Sequence, residues 1–260
     1  MKVYQVDAFT AEPFAGNPAA VVPLEQPAAE SWMQAVAAEM NLSETAFVHP
    51  EGDRFRLRWF TPVVEVELCG HATLATSHVL WSEGLCEAEV IHYATRSGEL
   101  LARAEGELIE LDFPSRPPTA IDAPAGLAEA LGAGLRWVGT STEDLLVELE
   151  SDEVVRSLKP DTGALLRVTA RGIIVTAASA DERFDFVSRF FAPAVGVPED
   201  PVTGSAHCVL GPFWSGRLGR HNVVGYQAST RSGVVRVRVR GERVAISGRA
   251  VTVMRGDLLA

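Results

Sequence analysis

The chain repeats itself, and that limits what it can fold into more than any other feature. Residues 55–62, Phe-Arg-Leu-Arg-Trp-Phe-Thr-Pro, match residues 186–193, Phe-Val-Ser-Arg-Phe-Phe-Ala-Pro, at an offset of 131. Cys69-Gly70-His71-Ala72 then falls on Thr203-Gly204-Ser205-Ala206 at offset 134, and Gly98 with Gly106-Glu107 on Gly233 with Gly241-Glu242 at offset 135. Three blocks in one order, with an offset that creeps by small insertions, describe a duplicated domain. The period is far longer than the roughly 20–50 residues of solenoid repeats. The breaker-rich run Phe113-Pro114-Ser115-Arg116-Pro117-Pro118 lies near the middle of the 260 residues. It predicts a boundary there, with domains over 1–117 and 118–260 and the last strand free to pack back on the first domain.

Each half mixes strand and helix signals. Residues 2–9, 18–23, 44–49, 54–60 and 63–68 alternate apolar with polar or are rich in Val and Phe, as half-buried strands are. Over 28–40, Trp32, Val36 and Met40 recur every fourth position behind Pro27, which predicts an amphipathic helix with the proline in its first turn. Further helices are expected from Gly70 to about Glu83, stopping at Gly84, and from Gly204 to about Arg217, stopping at Gly219. Residues 97–104 with 107–113, and 233–239 with 242–248, read as hairpins. The class is α+β, mixed strands around a helix in each half, rather than repeated βαβ units.

Composition removes several functions. With 23 Lys+Arg against 34 Asp+Glu the net charge is −11, which argues against a nucleic-acid partner. No apolar stretch approaches the roughly 20 residues that span a bilayer, and a carboxylate at Asp7 interrupts the amino-terminal run, so a soluble, cytoplasmic protein is expected. Neither a Walker loop nor spaced glycines after a first strand is present, and no cofactor is expected. The three cysteines, Cys69, Cys86 and Cys208, contain no CxxC pair. Cys69 with His71 and His207 with Cys208 match no common zinc spacing, so reduced thiols and no metal are expected.

Two matched helix starts are the candidates for chemistry. The first amides of a helix lack internal partners and carry the positive end of its dipole, so Gly70-His71 and Gly204-Ser205 can hold a carboxylate or a developing oxyanion. Ordinary helix starts with a packing glycine look the same. Asp200 precedes Pro201 beside the second start, where its carboxylate can project from a loop or simply belong to an Asp-Pro turn. Glu44 sits at the edge of an apolar strand, a place that raises a carboxyl toward the pKa of a proton-abstracting base, or it is a solvated turn residue. His71, one residue into a helix, is expected to be neutral. Cys69 occupies a position that lowers a thiol pKa, and its counterpart is Thr203, so a two-thiol mechanism is unsupported.

Together these blocks resemble a known family. Asp7-Ala8-Phe9-Thr10, Phe14-Ala15-Gly16-Asn17-Pro18, Asn41-Leu42-Ser43-Glu44-Thr45-Ala46-Phe47, Arg58-Trp59-Phe60-Thr61-Pro62, Cys69-Gly70-His71-Ala72-Thr73 and Glu199-Asp200-Pro201-Val202-Thr203-Gly204-Ser205-Ala206 are similar to the signature blocks of the PhzF-like proteins, in the family's order. The resemblance implies a diaminopimelate-epimerase-like fold, with two α+β domains, each a curved sheet around a central helix, and a homodimer. It also implies an isomerase that moves a proton between carbons of a small carboxylated substrate without cofactor or metal. In the phenazine-pathway member that substrate is a dihydro-hydroxyanthranilate. By motif, Glu44 is the acid/base, His71, Asp200 and Ser205 are further catalytic residues, and Gly70, Gly204, Cys69 and Thr203 bind substrate. An epimerase or racemase using Cys69 is the alternative, and a small-molecule-binding protein without turnover is a third.

Overall fold

A computed structural model describes residues 1–259 of the chain. The residues separate into two compact units, Met1–Asp112 together with the segment from Ser247 on, and Phe113–Ile246.

The first unit contains β1 (Lys2–Ala8), β2 (Asn17–Pro23), α1 (Glu30–Met40), β3 (Glu44–Glu51), β4 (Arg54–Phe60), β5 (Glu65–Val66), α2 (Gly70–Ser82), β6 (Val90–Thr95), β7 (Gly98–Glu105) and β8 (Leu108–Pro114). β1 runs antiparallel to β2 and, on its other side, to the carboxy-terminal strand Ala250–Asp257. β2 and β3 are parallel, as are β4 and β6, and the remaining pairs β3/β4, β6/β7 and β7/β8 are antiparallel. A parallel pair needs a long crossover, and α1 and α2 supply the two that occur here.

The second unit repeats this plan. It holds β9 (Thr119–Ala120), α3 (Leu127–Leu131), β10 (Leu135–Ser141), β11 (Asp144–Leu149), α4 (Asp152–Ser157), α5 (Thr162–Leu165), β12 (Gly172–Ala178) and β13 (Phe186–Ala192). These are followed by β14 (Val197–Asp200), α6 (Gly204–Leu218), β15 (Asn222–Gln227), β16 (Gly233–Arg240) and β17 (Arg243–Gly248), after which the carboxy-terminal strand is β18 (Ala250–Asp257). The parallel pairs are now β11/β12, bridged by α4 and α5, and β13/β15, bridged by α6. Each unit is therefore α+β with a mixed sheet and one long central helix, the diaminopimelate-epimerase-like architecture.

Those central helices are apolar or small on every side, which suits a helix enclosed by sheet rather than one with a wet face. In α2 the buried positions run almost unbroken from His71 to Leu80, and in α6 from Ala206 to Gly211 and again over Phe213, Trp214 and Ser215. Buried hydroxyls in α2 are satisfied within the helix: Thr73 donates to the Cys69 carbonyl (2.6 Å), Thr76 to Ala72 (2.7 Å) and Ser77 to Thr73 (2.8 Å). α6 ends where the sequence places its stop, with Gly219 left-handed at φ 65°.

Two expectations need correction. The strand expected over 63–68 shrinks to Glu65–Val66, because the Thr61 hydroxyl accepts from the amides of Val63 (3.2 Å) and Val64 (2.9 Å) and folds that stretch into a turn. α1 begins at Glu30 with Ala29 as its cap, so Pro27 lies outside the helix, and the buried face centres on Met33, Val36 and Ala37 with Trp32 and Met40 at its margins.

Candidate active site

In the first unit three elements place four polar side chains together. Asn41 ends α1 in the left-handed conformation (φ 50°), and three residues later Glu44 opens β3. The parallel register Ala19↔Glu44 sets Glu44 beside β2, whose first residue is Asn17, while Cys69 caps α2 and His71 lies in its first turn. His71 Nε2 is 3.1 Å from Glu44 Oε2. On the other edge of the ring Nδ1 is 3.2 Å from Asn17 Nδ2 and 3.6 Å from Cys69 Sγ. Asn17 is fully buried, Cys69 and His71 are each 6% exposed, and the Glu44 side chain keeps 18% of its surface. Glu44, Cys69 and His71 thus present three donor atoms within 4.8 Å of one another.

The electrostatics reverse the three expectations drawn from local sequence. Burial works to raise the Glu44 pKa, but the charge of His71 and hydrogen bonds from His71 and Cys69 outweigh it, and Glu44 is held below the usual carboxylate range. Burial works to lower His71, yet Cys69 and Glu44 shift it above its ordinary value, opposite in direction to the lowering expected at a helix start. Burial, with the Glu44 charge added, pushes the Cys69 thiol up to about 11, and the helix start does not offset this.

In the second unit the matched helix start carries a different arrangement. Asp200 closes β14, and its Oδ2 accepts from the Thr203 hydroxyl at 2.5 Å. Gln227, the last residue of β15 and fully buried, binds this segment three times. Its Oε1 accepts from the Thr203 amide (2.9 Å), and its Nε2 donates to the Asp200 carbonyl (2.8 Å) and to Thr203 Oγ1 (3.1 Å). Ser205 Oγ lies 3.5 Å from the Arg171 guanidinium, which also makes a bidentate pair with the buried Asp144. Neither long helix has a side-chain cap, whereas the short α4 and α5 are capped by Ser151 and Asp161. The leading amides at Gly70 and Gly204 are in that respect open to an anion.

Sequence reasoning missed Asn17, Gln227, Arg171 and Asp144. Asn17 stands in one of the motif blocks and gave that signal; the other three become visible only through strand register. Asp200, Thr203, Gly204 and Ser205 form one group in the second unit, and Glu44, Cys69, Gly70 and His71 another in the first.

Comparison with known proteins agrees on one family. The family model described as phenazine biosynthesis-like protein (PhzC-PhzF) matches residues 6–256. An uncharacterised isomerase of Halalkalibacterium halodurans is 50% identical over 259 residues, covering 99% of this chain and 98% of that protein. A crystal structure of a phenazine biosynthesis PhzF-family protein from Enterococcus faecalis superposes with a TM-score of 0.96 at 42% identity, covering 100% of this chain and 99% of that one. A hydroxyproline epimerase from Agrobacterium vitis shares the fold alone, at 11% identity and a TM-score of 0.63 over 98% of this chain and 91% of its own.

Proposed function

The chain belongs to the phenazine biosynthesis-like (PhzC-PhzF) family and is an isomerase, and from that membership we propose that it moves a proton between carbons of a small carboxylated substrate, with Glu44 as the acid/base. The observation that carries this reading is the contact between Glu44 and His71, 3.1 Å apart beside the uncapped start of α2. Because Glu44 rests as a carboxylate, it accepts a proton from carbon without first losing one. His71, 3.1 Å from the carboxylate and with its pKa raised, favours one orientation of Glu44 and offsets negative charge that develops on the substrate. Once protonated, Glu44 is itself the donor, and returning the proton from the same oxygen gives transfer on one face of the substrate. The uncapped amides at Gly70, beside Glu44, are assigned to binding the substrate's carboxylate.

A second reading, epimerisation with Cys69, is favoured by the Cys69 Sγ contact with His71 at 3.6 Å. A thiol at about 11 serves there as a proton donor rather than as a resting base.

The test is carbon-proton exchange. A panel of small cyclic and unsaturated carboxylates, anthranilate analogues among them, is incubated with the protein in deuterated water and followed by mass spectrometry and by chiral chromatography. Deuterium uptake that disappears in Glu44→Gln supports the first reading. Uptake with inversion, abolished in Cys69→Ser, supports the second, and full exchange in Glu44→Gln removes Glu44 as the base.

A further inference from the structure

Glu44, Cys69 and His71 bring one carboxylate oxygen, one sulfur and one imidazole nitrogen within 4.8 Å, and this is the only such group of His, Cys, Asp and Glu among the described residues. We propose that these three side chains form a binding site for a single thiophilic divalent cation of the zinc type, with a fourth position left for water or a small ligand.

Geometry is the first support. Zinc bonds of about 2.0–2.3 Å to oxygen, nitrogen and sulfur set donor separations of about 3.3–3.8 Å in a tetrahedron. The observed separations bracket that range, with His71 Nε2 3.1 Å from Glu44 Oε2 and 4.0 Å from Cys69 Sγ. A cation therefore sits between His71 and Glu44, with Cys69 Sγ drawn toward it. Asn17 Nδ2 engages the Nδ1 edge of the ring at 3.2 Å, and Nε2 lies 3.1 Å from Glu44.

Charge balance is the second support. Around a dication, the Glu44 carboxylate, the Cys69 thiolate, whose proton passes to solvent on binding, and a neutral His71 imidazole are neutral in sum. A bound ion therefore leaves no net charge in this mostly buried place, where an unpaired ion would be expensive. The two other thiols have no such company: Cys208 donates to the Gly204 carbonyl within α6, and Cys86 lies outside any donor group.

A cation held here occupies the atoms that the proposed proton transfer uses, so inhibition by zinc rests on that reading, while binding itself does not. The experiment uses cobalt(II) as a spectroscopic stand-in on the intact chain. One equivalent is expected to give a near-ultraviolet sulfur-to-cobalt band and the visible bands of a tetrahedral ion, both displaced by one equivalent of zinc. Cys69→Ser abolishes the near-ultraviolet band, and Glu44→Gln weakens binding by about 10-fold or more. Cys86→Ser and Cys208→Ser leave the spectrum unchanged. No band at stoichiometric cobalt, or a band that survives Cys69→Ser, overturns the proposal. Should circular dichroism show Cys69→Ser unfolded, cadmium-113 resonance of the wild type decides: a shift for one sulfur ligand sustains the site, and a shift for oxygen and nitrogen alone ends it. The two readings fail separately, since full exchange activity in Glu44→Gln removes the base without touching the cobalt spectrum of the wild type.

Discussion

The starts of α2 and α6 are the same construction fitted with different side chains. In both, a serine from the loop after the next strand binds the carbonyl three residues ahead of the helix glycine: Ser97 to Glu67 and Ser229 to Pro201. In both, a side chain in the first turn binds the carbonyl of the cap residue, Thr73 to Cys69 and His207 to Thr203. Strand register extends the comparison. Phe60 pairs with Thr45 and its repeat partner Phe191 with Ile173, so the counterpart of Glu44 is Gly172. A Cβ there would lie 2.2 Å from the Phe190 ring and 3.0 Å from the Asp144 carboxylate, so no carboxylic side chain fits. One copy keeps a titrating cluster, and the other replaces it with a hydrogen-bonded scaffold around Gln227. Duplication preserved the backbone frame, and the Glu44, Cys69 and His71 cluster stands on one side of it.

The sharpest way to break that contrast is Glu44→Gln. If the first unit alone carries the base, exchange falls by about 10²- to 10⁴-fold while the melting temperature stays near that of the wild type, measured by deuterium uptake and calorimetry.

Next in size is Gln227→Leu. It strands the Thr203 amide and the Asp200 carbonyl in a buried place, and denaturant unfolding should show a loss of about 3 kcal/mol or more. A loss under about 1 kcal/mol would mean that the scaffold is incidental.

The pH dependence of stability separates the two ends by sign. His207 is fully buried, and burial lowers its pKa from 6.5 to about 4. Its contribution is present above pH 6.5 and is lost as pH falls toward 4, by about 3 kcal/mol. His71 is shifted the other way, so its contribution is complete below pH 6.5 and is lost as pH rises through its raised folded value. Glu44, lowered from 4.5, contributes above that pH and loses its contribution as pH falls through its own folded value. His207→Gln should flatten the acid limb of a stability curve, and His71→Gln the alkaline limb. The same limb flattening in both variants would refute the contrast.

The smallest effect tests what the two ends share. Ser97→Ala and Ser229→Ala each remove one equivalent hydrogen bond, and each should cost about 1 kcal/mol in equilibrium unfolding. A cost confined to one of them would show that the frame is not symmetric after all.

By itself the sequence determined the duplication, the α+β class, both central helices with their glycine stops, and the motif residues at the two helix starts. These are local or repeated signals: a 3.6-residue or two-residue period, a breaker, a block met twice. Tertiary structure alone decided the direction in which each pKa of the cluster is shifted. Local rules favoured a raised Glu44, a lowered His71 and an acidified Cys69, and each was reversed once the three stood within 4.8 Å in a buried place. It also decided the roles of Asn17 and Gln227, which lie 54 and 24 residues from the groups they hold. Coulomb and hydrogen-bond terms depend on distance through space, and separation along the chain carries no record of it until strands pair and fix the register.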